Sequence, residues 1–68
     1  MMKKLITIEG MSCNHCVAHV KEALEGINGV QVINVSLDDN NALVETEVDN
    51  GVLINAIEEE GYDVKSIE

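Results

Sequence analysis

Sixty-eight residues carry a formal net charge of −9, with thirteen acidic side chains against four lysines and no arginine. That balance argues against a nucleic-acid partner, since phosphate binding needs clusters of Lys and Arg, and it disfavours an anionic membrane surface. Hydrophobic residues are 46% of the chain, too many for the disordered class; at this length only about 60% of the unfolded surface can be buried, so one domain with a small aliphatic core is expected over residues 1–68.

The N-terminus reads Met1-Met2-Lys3-Lys4, two lysines that imitate the charged start of a signal peptide. The apolar run behind them is only about four residues, too short for an h-region, and no stretch reaches transmembrane length. A cytoplasmic protein without membrane insertion is expected. Leu5 to Glu9 alternates, with Ile6 and Ile8 on one side and Leu5, Thr7 and Glu9 on the other, which predicts a strand. Gly10 to Asn14 reads as a loop. From His15 the period becomes helical: Cys16, Val17, Val20, Ala23 and Leu24 share one face, and Lys21, Glu22 and Glu25 lie on the outer one. Ser12 or Asn14 is the expected N-cap, and Gly26 and Gly29 end the helix and turn the chain.

Val30 to Leu37 is rich in β-branched residues, with Ile33, Val35 and Leu37 alternating against Asn34 and Ser36. Asp38-Asp39-Asn40-Asn41 is a turn cluster suited to a hairpin. Ala42 to Val48 returns as a strand, Ala42, Val44 and Thr46 inward, Glu45 and Glu47 to water. Asp49-Asn50-Gly51 breaks the strand and caps a second helix, which carries Val52, Leu53, Ile54, Ala56 and Ile57 and then the exposed run Glu58-Glu59-Glu60. Gly61 ends it, and Tyr62 to Ile67 forms a last short strand with Val64 inward. The order β-α-β-β-α-β is the split βαβ, or ferredoxin-like, arrangement. It predicts an α+β sandwich in which two helices bury one face each on a four-stranded antiparallel sheet.

Cys13 and Cys16, the only two cysteines, lie where the first strand hands over to the first helix, in Gly10-Met11-Ser12-Cys13-Asn14-His15-Cys16. Unpaired backbone N–H groups and the helix dipole lower a thiol's pKa at such a place. In a reducing compartment a close pair is metal-binding or catalytic rather than structural. Three chemistries compete. Structural zinc takes four ligands, usually from two separated pairs; here only His15 and His19 could complete the set, from the same short segment, and the geometry is cramped. Dithiol redox chemistry suits a Cys-x-x-Cys at a strand-to-helix junction, but the chain is short for a thioredoxin-like fold and contains no proline to stand in cis beside the pair. Copper(I) is selected by soft thiolates. Two of them suffice for a low-coordinate site that stays open to a third, incoming thiolate, as handing a metal on requires.

The motif Met11-x-Cys13-x-x-Cys16 after an alternating strand resembles that of the heavy-metal-associated domain. The resemblance covers the whole chain, through the apolar helix after Cys16, the Gly29-Val30 opening of the second strand, and the run from Ala56 to Val64. Within the family it is most similar to the small bacterial copper chaperones. The resemblance implies that Cys13 and Cys16 are the thiolate ligands of one Cu(I). It implies that Met11 packs under the loop as a hydrophobic tether, and that Tyr62 is the tyrosine bacterial members place near the site. It further implies a chaperone rather than an enzyme. Its expected recipient is the metal-binding domain of a copper-transporting P-type ATPase, with a copper-responsive repressor as another. A monomer able to form a metal-bridged dimer is expected. Mercury or another soft metal is the alternative cargo, and a dithiol redox protein the alternative from a different class. The start at methionine and the close after a fourth strand lead to the expectation of a stand-alone module rather than a piece of an ATPase.

Each neighbouring residue also has a plainer reading. Met11 between a strand and a helix is packing before it is a thioether ligand. Tyr62 either caps the small core or shields the site and hydrogen-bonds near sulfur. His15, exposed in the loop, is a candidate third ligand where two molecules share copper, or a tuner of local charge. His19 is expected to face water. The Glu58-Glu59-Glu60 run is a solvated helix face, or a docking surface for a basic patch.

Overall fold

Ile6 and Ile8 are fully buried and their neighbours are not, so the first strand has one inward face, as its alternation predicts. The computed structural model describes residues 2–68, and Met1 lies outside the described residues. The elements are β1 (Met2–Glu9), α1 (Asn14–Glu25), β2 (Val30–Ser36), β3 (Asn41–Thr46), α2 (Asn50–Glu59) and β4 (Asp63–Ile67). The strands form one sheet in the order β2-β3-β1-β4, every neighbouring pair antiparallel. Both helices cover it, α1 against β2, α2 against β4, and each against the other. This is the expected ferredoxin-like sandwich. Ile6, Ile8, Ala42 and Val44 from the sheet meet Val20 and Leu24 of α1 and Leu53 and Ile57 of α2 in a single core.

β1 begins earlier than the apolar alternation suggests. Met2, Lys3 and Lys4 pair with Thr46, Glu45 and Val44 of β3. Lys3 stands opposite Glu45, a favourable cross-strand pair. Lys4 Nζ donates to the Val48 carbonyl and to Asn50 Oδ1, each at 2.7 Å. Ladder pairing with β3 and an amine tether, rather than hydrophobic period, extend this strand.

β2 departs from expectation at Ile33, while Val35 and Leu37 pack against the core as expected. Val32 and Val35 pack against the core, whereas Ile33 is 46% exposed. The pairing with β3 steps from Val32↔Val44 to Asn34↔Leu43, so Ile33 is the extra residue of a β-bulge. Strict alternation is broken there, and every later side chain changes face.

Thr46 is the one polar side chain found fully buried among the described residues. Its hydroxyl donates to the Gly29 carbonyl at 2.8 Å and accepts from the Val48 N–H at 3.0 Å. That second bond turns the chain out of β3 two residues before the sequence pattern suggests. Val64 is half-buried against the core as expected, while Tyr62, just before β4, is the more deeply set residue. Among the described residues no helix is long and apolar enough to cross a membrane.

Candidate metal centre

The corner begins with a turn that needs glycine. Gly10 follows β1 at φ +106°, in the region where a Cβ is strained. Met11 then turns inward, only 7% exposed, and joins the hydrophobic core. It anchors the loop from below, as the packing reading expects. With Met11 held, Ser12 and Cys13 are left on the rim, both exposed.

Cys13 is the N-cap of α1, a place the sequence reading gave to Ser12 or Asn14. Its carbonyl accepts the N–H groups of Cys16 at 3.0 Å and Val17 at 3.3 Å. No side chain caps the helix. A carbonyl in extended geometry does the backbone part of capping without an Asx or hydroxyl group, which is why side-chain preference misplaced it. The first-turn N–H groups and the positive end of the helix dipole therefore act on sulfur rather than on a capping oxygen.

The two sulfurs are 3.8 Å apart and both thiols are free. That separation is far beyond a disulfide bond of about 2.05 Å. An ion about 2.3 Å from each sulfur, an ordinary metal–thiolate distance, fits between them with a bent angle. Straightening it to a linear geometry needs the sulfurs to part by less than about 1 Å, which an exposed Cys13 side chain can supply.

Cys16 is half-buried and packs against the core. Its thiol is pulled down from an ordinary 9.0 to about 6, first by hydrogen bonding from the Tyr62 hydroxyl and then by the backbone of Ser12; partial desolvation works the other way. The Ser12 hydroxyl lies 3.9 Å from the sulfur and adds to the effect. The same interaction pushes Tyr62 up to about 12, because its proton is held by the thiolate. At neutral pH Cys16 is thus a thiolate and Tyr62 a neutral donor.

Tyr62 combines the two roles weighed for it. Its ring is 9% exposed and belongs to the core cluster, and its hydroxyl reaches the cysteine corner. Its Cδ1 lies where a Cβ on Gly10 would come within 3.6 Å, so the ring also fills the space beside the turn. His15 is exposed on the first turn of α1 and does not gather with the thiols. Among the described residues no three of His, Cys, Asp and Glu converge on a common point. His19 is exposed, as expected, and it also places Nδ1 3.4 Å from the Tyr62 hydroxyl. Its spacing of three residues from Cys16 on one helix was the available signal.

Fold and corner together define an α+β sandwich with two free thiols at one corner, and known proteins share the fold. The pattern of the heavy-metal-associated domain matches residues 5–63. The copper chaperone CopZ of Staphylococcus epidermidis is 47% identical over 68 residues, which is 96% of this chain and 100% of that protein. The mercuric reductase of Shewanella putrefaciens is 49% identical over 63 residues, 90% of this chain but 11% of the reductase. A solved copper-binding domain of a P-type ATPase superposes with a TM-score of 0.85 at 30% identity, covering 98% of this chain and 99% of that one. The chain belongs to the heavy-metal-associated domain family.

Proposed function

We propose that this protein is a cytoplasmic copper(I) chaperone, in which Cys13 and Cys16 carry one Cu(I) and pass it on by thiolate exchange. The observation that carries the reading is the pair of free sulfurs 3.8 Å apart, Cys13 exposed and Cys16 half-buried, with no third His, Cys, Asp or Glu gathered beside them among the described residues. Soft thiolates favour Cu(I) over harder ions. A closed tetrahedral zinc cage would need two more ligands. Two-coordinate copper leaves room for a partner's thiolate to bind as a third. One original Cu–S bond then breaks, the second partner thiolate bonds, the remaining original bond breaks, and the ion leaves still as Cu(I). No substrate bond is made or broken, so the protein is not an enzyme.

Within this reading each neighbour has a task. Tyr62 and Ser12 keep Cys16 ionised and ready to bind. Met11 holds the loop while Cys13, the freer thiol, swings between the ion and water. The proposed recipient is the metal-binding domain of a copper-transporting P-type ATPase. The support is the likeness to the solved copper-binding domain of a P-type ATPase, a recipient of the same fold. A copper-responsive repressor is a second recipient of the same kind. The free chaperone is monomeric, and two copies can share copper through their exposed corners.

The relationship to a mercuric reductase segment favours one second reading, another soft ion as cargo on the same two thiolates. A competition titration separates them. Cu(I) buffered by bicinchoninate should load one ion per chain. Loaded protein mixed with an ATPase metal-binding domain should then transfer it, seen as chemical-shift changes at that domain's own cysteines. Mercuric ion retained in the presence of excess Cu(I), with no copper transfer, would support the second reading instead.

A further inference from the structure

His15 and His19 are four residues apart on α1, and both are exposed. Side chains at i and i+4 of a helix lie one above the other on a single face. Glu22, three residues beyond His19 and also exposed, continues the same flank. Lys21, the one cation of the helix, is on the opposite flank, where it lines the groove between α1 and β2 with Val17 and Val32. The paired imidazoles are thus kept clear of positive charge, on a molecule whose net charge of −9 concentrates cations near its surface.

A second observation concerns how His19 is held. The Tyr62 hydroxyl lies 3.4 Å from His19 Nδ1. In the tautomer in which Nδ1 donates to that oxygen, the Nε2 lone pair is free. Metal-binding histidines are held in just this way, the second ring nitrogen donating to a fixed oxygen that sets tautomer and orientation.

We propose that His15 and Nε2 of His19 form a second metal site, distinct from the thiol pair, for a borderline divalent cation such as Zn2+. Imidazole nitrogen suits Zn, Ni and Cu(II), whereas paired thiolates select the softer Cu(I). Two imidazoles one turn apart chelate a single ion, as in helical zinc sites built on His-x-x-x-His spacing. Water fills the remaining positions, and Glu22 adds negative charge to the flank.

The test removes the thiols so that only the imidazoles can answer. Zn2+ is titrated into the full chain carrying Cys13→Ser and Cys16→Ser, while the Cε1–H resonances of both histidines are followed. Circular dichroism checks that the variant is folded; if it is not, the parent chain alkylated at both thiols takes its place. The expected result is one Zn2+ per chain with both imidazole signals moving together. His15→Ala or His19→Ala on the same background should weaken binding about tenfold or more, and Tyr62→Phe should weaken it through the lost anchor of His19 by a similar factor. Zn2+ that moves neither imidazole, or only one, would overturn the proposal, as would affinity unchanged by His19→Ala. Neither outcome bears on copper, since the thiolates are absent.

Discussion

Cys16 and Tyr62 set each other's charge state, and most of the corner's chemistry follows from that exchange. The phenol stays protonated because the thiolate holds its proton, and the thiol ionises because the phenol donates. Without Tyr62 the thiol should rise from about 6 toward its ordinary 9.0. Only the thiolate reacts with iodoacetamide, so peptide mapping of alkylated Cys16 against pH gives the measurement. In the parent the rate rises through about pH 6, and in Tyr62→Phe the midpoint moves upward; an unmoved midpoint would remove Tyr62 from this role. The cysteines, Met11 and Tyr62 could each be picked out from the sequence because motif spacing and a lone aromatic are local signals. The contact of His19 with Tyr62 was not legible, because it joins residues 43 apart in the chain.

Where elements begin and end depends on bonds that apolar patterning does not record. The expected faces hold wherever a strand is regular, as at Ile6, Ile8, Ala42, Val44 and Thr46. They fail at Ile33, because one extra residue in β2 reverses the alternation and composition does not reveal which residue a bulge will take. The early start of β1 rests on the pairing of Lys3 with Glu45 and on the reach of the Lys4 amine. The end of β3 rests on Thr46. Thr46→Val keeps the shape but strands the Gly29 carbonyl and the Val48 N–H. It should cost about 1–3 kcal/mol in urea unfolding; a loss below that range would mean water replaces the hydroxyl. α2 carries Glu58 and Glu59 in its last turn and no basic residue there, against the helix dipole. Glu59→Lys should therefore stabilise the protein by about 0.3–1 kcal/mol at low salt, an effect that salt screens.

The whole molecule is a sandwich with a packed core and two free thiols at one corner. The core from both helices and the sheet leaves Met11 and Tyr62 fixed, while Cys13 stays on the surface. A ligand that binds only the folded chain raises its stability by mass action. Cu(I) should accordingly raise Tm in proportion to the logarithm of its free concentration, and stripping it with a chelator should restore the original value. Zinc at the imidazole flank would leave that copper-dependent shift in place. The decisive measurement is Cu(I) partition against bicinchoninate for the parent and for the chain with both Cys13→Ser and Cys16→Ser. The parent should withdraw one Cu(I) per chain from the chelator, and the variant none; a variant that holds copper as firmly as the parent would contradict the account.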